Sequence, residues 1–237
     1  MKQPFLYTII AALASLLFIG NDALAQADAP RFEIGGQFSL LPLNKPSSQF
    51  EGYFVSEYGA EPGFGARFTY NVTNHIALEA EGNFFPGRNN DISVPGGQIY
   101  QGQFGVKAGK RFKKVGLFIK IRPGFVRFTK VSQFTGFRAA TAISIFNQEF
   151  HYENAEFRIG KATYLSTDVG GVVEFYPSRR LVTRLDIGDT IIRYGIYREP
   201  ALIVCPIIAP ACPTQVFERP AETRHNLQFS AGIGIRF

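Results

Sequence analysis

The sequence predicts an all-β fold: an eight-stranded antiparallel up-and-down transmembrane β-barrel with four long external loops and three short turns. Three observations predict it. Hydrophobicity alternates with a period of two in eight separate blocks, the connections alternate long and short, and the more polar face of the blocks is rich in glycine and in balanced charge.

The barrel is expected to begin after a leader. Lys2 precedes an apolar run from Phe5 to Gly20, and Ala23-Leu24-Ala25 places small residues where a signal peptidase reads. Residues 1–25 therefore read as a cleaved signal peptide and 26–237 as the barrel. A membrane anchor competes with this reading, but the run falls short of the ~20 residues a spanning helix needs. No Cys lies near the cleavage point, which removes a lipoprotein anchor.

The eight blocks follow in order. Phe32, Ile34, Gly36, Phe38 and Leu40 alternate with Glu33, Gly35, Gln37 and Ser39. Phe64, Ala66, Phe68, Tyr70 and Val72 alternate with Gly65, Arg67, Thr69 and Asn71. In the third, Ile76 to Phe84 alternate with Glu79, Glu81 and Asn83. The fourth sets Tyr100, Phe104, Val106 and Ala108 against Gln101, Gln103 and Lys107, and the fifth sets Val115 to Ile121 against Gly116, Lys120 and Arg122. Leu165 to Phe175 alternate with Ser166, Asp168 and Glu174; Leu181, Leu185 and Ile187 alternate with Arg184 and Asp186. The last block sets Leu227, Phe229, Ala231, Ile233, Ile235 and Phe237 against Gln228, Ser230, Gly232, Gly234 and Arg236.

Between them the long connections are expected at about 42–62, 85–98, 129–160 and 190–223. Tight turns fall at Thr73-Asn74, at Lys113-Lys114 and from Pro177 to Arg180. Long loops on one side and short turns on the other are the habit of bacterial outer-membrane barrels.

Alternation alone would also suit a soluble sandwich. The apolar face, however, carries almost no charge through the strand centres, and the polar face carries Gly35, Gly63, Gly65, Gly105, Gly116, Gly124, Gly170, Gly232 and Gly234. Glycine weakens a solvated strand, whereas the narrow interior of a small barrel needs small residues between long ones. Phe32, Tyr70, Phe84, Phe85, Tyr100, Phe112, Phe175, Tyr176 and Phe237 cluster near strand ends, where interfacial girdles belong. Strict parity points Asp189 at lipid, so either a bulge near Gly188 turns it inward or it sits at the outer rim.

The closing segment Leu227 to Phe237 and the preceding hairpin, Gly170 to Tyr176 and Leu181 to Asp186, resemble the OmpA/OmpX-like outer-membrane β-barrel family. The resemblance spans residues 31–237. It implies a Gram-negative outer membrane, outer-membrane lipids as surroundings, and an assembly signal in Phe229, Ile233, Ile235 and Phe237 read by the barrel-assembly machinery. Because the sequence stops at Phe237, the peptidoglycan-binding domain of full OmpA proteins is expected to be absent.

Parity points Glu33, Glu79, Glu81, Asp168, Glu174 and Asp186 inward, facing Arg67, Lys107, Lys120, Arg122, Arg184 and Arg236. Equal numbers suggest an ion-pair network that plugs the lumen; a selective pore is the competing reading. The net charge of +6 is assigned to Lys110, Arg111, Lys113, Lys114, Arg179 and Arg180 in the tight turns, which gives no case for nucleic acid. Cys205 and Cys212 are expected to form a disulfide in an oxidising compartment, their spacing matching no zinc pattern.

Of three histidines, His75 lies by a periplasmic turn, His151 in the third loop and His225 at the outer rim. A relay of His225 with Asp189 or Ser166 would be the ingredient of a lipid A-modifying enzyme. An interfacial histidine is the plainer reading. The third loop alternates through Phe134, Phe137, Ile143, Ile145 and Phe150, so strands five and six are expected to project as an extended hairpin whose edges could add a partner's strand. The expectation is a monomeric, non-enzymatic barrel without cofactor or metal, serving envelope integrity or adhesion through its loops, with a small pore and a lipid A-modifying enzyme as alternatives.

Overall fold

The computed structural model describes residues 30–44, 59–87, 96–145, 148–200 and 216–237. The predicted signal peptide and both cysteines lie outside the described residues.

The described residues form ten strands: β1 (Phe32–Pro42), β2 (Ala60–Asn71), β3 (Ile76–Phe85), β4 (Gly96–Arg111), β5 (Val115–Ile145), β6 (Gln148–Phe175), β7 (Leu181–Tyr194), β8 (Tyr197–Pro200), β9 (Val216–Arg219) and β10 (Glu222–Arg236). Eight close into an antiparallel barrel in the order β1-β10-β7-β6-β5-β4-β3-β2, and β8 and β9 form a separate two-stranded ribbon. The periplasmic turns are tight for local reasons. Thr73 Oγ1 accepts the amides of His75 (3.1 Å) and Ile76 (3.0 Å), and Ser178 Oγ accepts those of Arg180 (3.3 Å) and Leu181 (3.1 Å). The seam closes where Phe32 and Phe237 exchange backbone hydrogen bonds of 3.0 and 2.9 Å, their rings stacked 5.9 Å apart.

The predicted faces hold through the eight alternating blocks. Leu165, 73 % exposed, and Phe64, 60 % exposed, look outward, whereas Lys107 and Glu79 are fully buried inside. An outward row of Phe and Leu with an inward row of paired charge is the inverse of a soluble protein, and it is the arrangement lipid demands. Glycines make room on the inward side: a Cβ on Gly65 would stand 2.0 Å from Asn83 Oδ1, and one on Gly188 2.1 Å from Asp168 Oδ1.

Strand ends depart from expectation. β2 begins at Ala60, so Glu61 belongs to the wall and is buried inside, not in a loop. Arg111, expected in a solvated turn, is the last residue of β4 and points inward. Phe85, expected in the girdle, is fully buried in the lumen, and Tyr176 turns its hydroxyl inward to Arg111 and Glu174. No register shift occurs at Gly188; Asp189 points outward between Val169 and Leu227, near the outer edge of the apolar band.

β5 and β6 run 31 and 28 residues, well past the wall. β4 last pairs with β5 at Lys130 and β7 with β6 at Leu165. Beyond those points β5 and β6 pair with each other, as the alternation in the third loop predicted. The stretch from Val131 to Ile145 would reach about 50 Å at strand rise. Phe134 packs edge-on against Phe137 (5.0 Å) and Phe157 (5.9 Å) along it, and Tyr197 of β8 ties to it by donating to the Ser132 carbonyl at 3.0 Å.

Candidate functional site

The site is the lumen, and it is layered. Its periplasmic floor joins the first and last strands. Arg236 donates to Glu33 at 3.1 Å while lying 4.4 Å over the Tyr176 ring, and Asn71 donates to Glu33 at 2.9 Å. Arg111 donates to Asn71 at 2.6 Å and to the Tyr176 hydroxyl at 3.2 Å, and that hydroxyl donates onward to Glu174 at 2.8 Å.

Above the floor lies the densest layer. Arg184 forks onto Glu79, at 2.9 Å through Nη2, and onto Asp186 at 2.6 Å. Lys107 sits between Glu174, with which it forms a short ion pair, and Glu79 at 3.2 Å. Arg122 holds Glu81 at 2.5 Å and Asp168 at 2.6 Å, and Lys120 holds Asp168 at 2.6 Å and pairs with Asp186. Three strands (β4, β5 and β7) supply the cations and three (β3, β6 and β7) the carboxylates, so the network staples separate parts of the wall together. Buried charge is tolerable only when each ion has hydrogen-bonded partners, and these have two or more.

All twelve charges assigned to the lumen point inward and are buried. Eleven join these ion pairs. Arg67 instead donates to Gln37 Oε1 at 3.1 Å, with no carboxylate in ion-pair range among the described residues. Glu61 and Arg111 enlarge the set to seven buried acids (Glu33, Glu61, Glu79, Glu81, Asp168, Glu174, Asp186) and seven buried bases (Arg67, Lys107, Arg111, Lys120, Arg122, Arg184, Arg236), so the balance persists.

A neutral layer follows. Gln37 donates to Asn83, Asn83 to Gln101, and Gln101 to Gln228, each at 2.9 Å, and Thr190 donates to Gln228 at 2.7 Å. The charges alone do not reveal this rung, although Gln37, Asn83, Gln101 and Gln228 stand on the polar face of their blocks and only Thr190 falls in a segment read as a loop.

The outer mouth is apolar. Leu41, Leu43, Phe85, Ile99, Val126, Phe128, Val131, Ile192 and Tyr194 form one buried cluster, with Ala162 and Tyr164 packed on it. Tyr164 lies 5.9 Å from Phe128 and 4.8 Å from Tyr194, ring to ring. Leu43, Phe85, Val131, Ile192 and Tyr194 of this cap fall in segments that read as loops, and Leu41, Ile99, Val126 and Phe128 fall outside the alternating blocks, so the sequence does not reveal it.

The histidine relay divides. His225 Nδ1 lies 2.5 Å from Asp189 Oδ2, and the same carboxylate accepts the Asn226 amide at 3.0 Å. Ser166 is buried on the inward face, however, whereas His225 and Asp189 stand on the outward face. The barrel wall separates the base from that hydroxyl. Among the described residues no cluster of His, Cys, Asp and Glu could hold a metal ion.

A closed barrel with an apolar exterior, a filled ionic interior and long connections at one end is an integral membrane barrel of the bacterial outer-membrane type. The family described as outer membrane protein beta-barrel domain matches residues 10–192, and the chain belongs to it; its place is the bacterial outer membrane. No curated protein sequence matches. Solved structures similar to the chain include the N-terminal β-barrel domain of Pseudomonas aeruginosa OprF (8% identity, TM-score 0.44, covering 89% of this chain and 99% of that one). Neisserial surface protein A is similar at 13% identity and TM-score 0.44, over 87% of this chain and 97% of its own. The Yersinia pestis attachment invasion locus protein Ail is similar at 12% identity and TM-score 0.44, over 88% and 99%.

Proposed function

We propose that the chain is a non-enzymatic, non-conducting barrel that serves the envelope as a scaffold, presenting the β5–β6 hairpin for surface interaction. The observation that carries this reading is the length of β5 and β6, 31 and 28 residues, where a transmembrane strand needs about 10. Material so far beyond the bilayer adds nothing to anchoring, and its edges, unpaired in the ladders of the described residues, suit strand addition by a partner. The ionic network and apolar cap support a lumen that does not conduct. The inward placement of Ser166 speaks against a serine-based lipid A chemistry around His225.

In this reading the barrel works as a monomer in outer-membrane lipid, and Phe237, Ile235, Ile233 and Phe229 address it to the assembly machinery. The test compares cells expressing the full chain with cells expressing a variant whose residues 133–158 are replaced by a short turn. Surface attachment should fall severalfold while barrel insertion and detergent resistance of the envelope stay unchanged. Discrete conductance steps from purified protein in planar bilayers, or attachment unaffected by the shortening, would overturn it.

A further inference from the structure

Outward-facing residues can be counted from the periplasmic end of each strand. Arg127 lies twelve residues from Val115 along β5, Thr163 twelve from Phe175 on β6, Arg193 twelve from Leu181 on β7, and His225 twelve from Phe237 beside β10. At roughly 3.3 Å per residue and a tilt near 40°, twelve residues rise about 30 Å, the thickness of the hydrocarbon core. These four side chains therefore stand at one level, where the outer-leaflet headgroups begin.

Lys161 stands one outward position above Thr163 on the strand between Arg127 and Arg193; Arg127 pairs with Thr163, and Arg193 with Thr223 and with Leu165, four residues from Lys161. All three cations are exposed, and none has an acidic partner among the described residues. The acid nearest below them, Asp189, is already engaged by His225 and the Asn226 amide. The same count on the other half of the wall reaches Asn44 on the β1 side, Ala60 on β2 and Tyr100 on β4, none of them charged, and on β3 it runs to Arg88, outside the described residues. The basic arc lies on the side from which the long hairpin rises.

From this placement we infer that the arc Arg127–Lys161–Arg193 is a binding site for the phosphorylated headgroup of an outer-leaflet glycolipid. An exposed guanidinium at the edge of an apolar wall is well placed for a phosphate, which it meets with a planar fork of donors, while the acyl chains lie along Phe125, Leu165 and Ile187 below. Each such cation adds about 1 kcal/mol of attraction to an anionic surface.

The test uses the full chain in phosphatidylcholine vesicles doped with bisphosphorylated lipid A, extracted in mild detergent and assayed for retained lipid A by mass spectrometry. Retention should fall at least about tenfold in the triple variant R127Q/K161Q/R193Q. It should be unchanged in K113Q/K114Q/R179Q, which removes as much charge from the periplasmic turns. Heat-modifiable migration in gels verifies that each variant is folded. Equal retention by wild type and the triple variant, or equal retention of enzymatically dephosphorylated lipid A, would overturn the inference.

Discussion

Between Glu79 and Phe128 the inside of this barrel changes solvent. At the lower level the inward charges are buried and cross-linked between walls, with Ala77, Phe118, Val172 and Val182 the buried apolar residues on the same face. At the outer mouth the same inward parity delivers Leu41, Ile99, Phe128 and Tyr194, packed as in the core of a soluble protein. The two regions obey one geometric rule and opposite chemical ones. Parity determines whether a residue faces in or out; height along the strand determines what it has to be.

The largest effect should come from breaking the ionic region. Arg184→Ala leaves Glu79 and Asp186 without their fork and should cost about 3–5 kcal/mol, read as a lowered urea midpoint for the barrel in lipid vesicles. A loss below about 1 kcal/mol would mean that water replaces the guanidinium and that the layer is softer than its packing indicates. Phe128→Ala, at the mouth, should cost about 3 kcal/mol without producing conductance steps, because the ionic layer still fills the bore. Steps in that variant would assign the seal to the cap.

The smallest contrast sharpens the division between inside and outside. Gly188→Val forces a Cβ to 2.1 Å from Asp168 Oδ1 and should cost about 1–3 kcal/mol, whereas Gly82→Ala, with open space on the lipid face, should stay within about 0.5 kcal/mol. Equal losses at both sites, measured in the same vesicles, would mean that backbone freedom and not lumen space governs glycine here.

The unequal legibility of the two regions has a physical cause. Glu79, Lys107 and Arg184 could be placed from sequence because a charge on the minor face of an apolar alternation has few places to go. Phe85, Ile99 and Phe128 could not, because near a strand end an inward apolar residue breaks the alternation that identifies strands. It looks like a girdle residue or the start of a loop. Arg111 was lost for the converse reason: beside Lys110, Lys113 and Lys114 it reads as one more solvated turn base, and only the register with Gly116 shows it turning inward. The His225–Asp189 contact was legible as a pairing, since parity already placed both outward, but the same parity set Ser166 apart from them.

The seam between Phe32 and Phe237 has a consequence for how the molecule comes into being. Glu33 and Arg236 are 203 positions apart, and their contact requires every intervening hairpin to be in register first. Bringing such distant segments together before any reward is collected makes for slow, late closure. Until it happens, β1 and β10 each present a free edge, which hydrocarbon does not tolerate. Folding and entry into the bilayer must therefore be a single event for this chain, with the last hydrogen bond of the ring and the last exclusion of water made together.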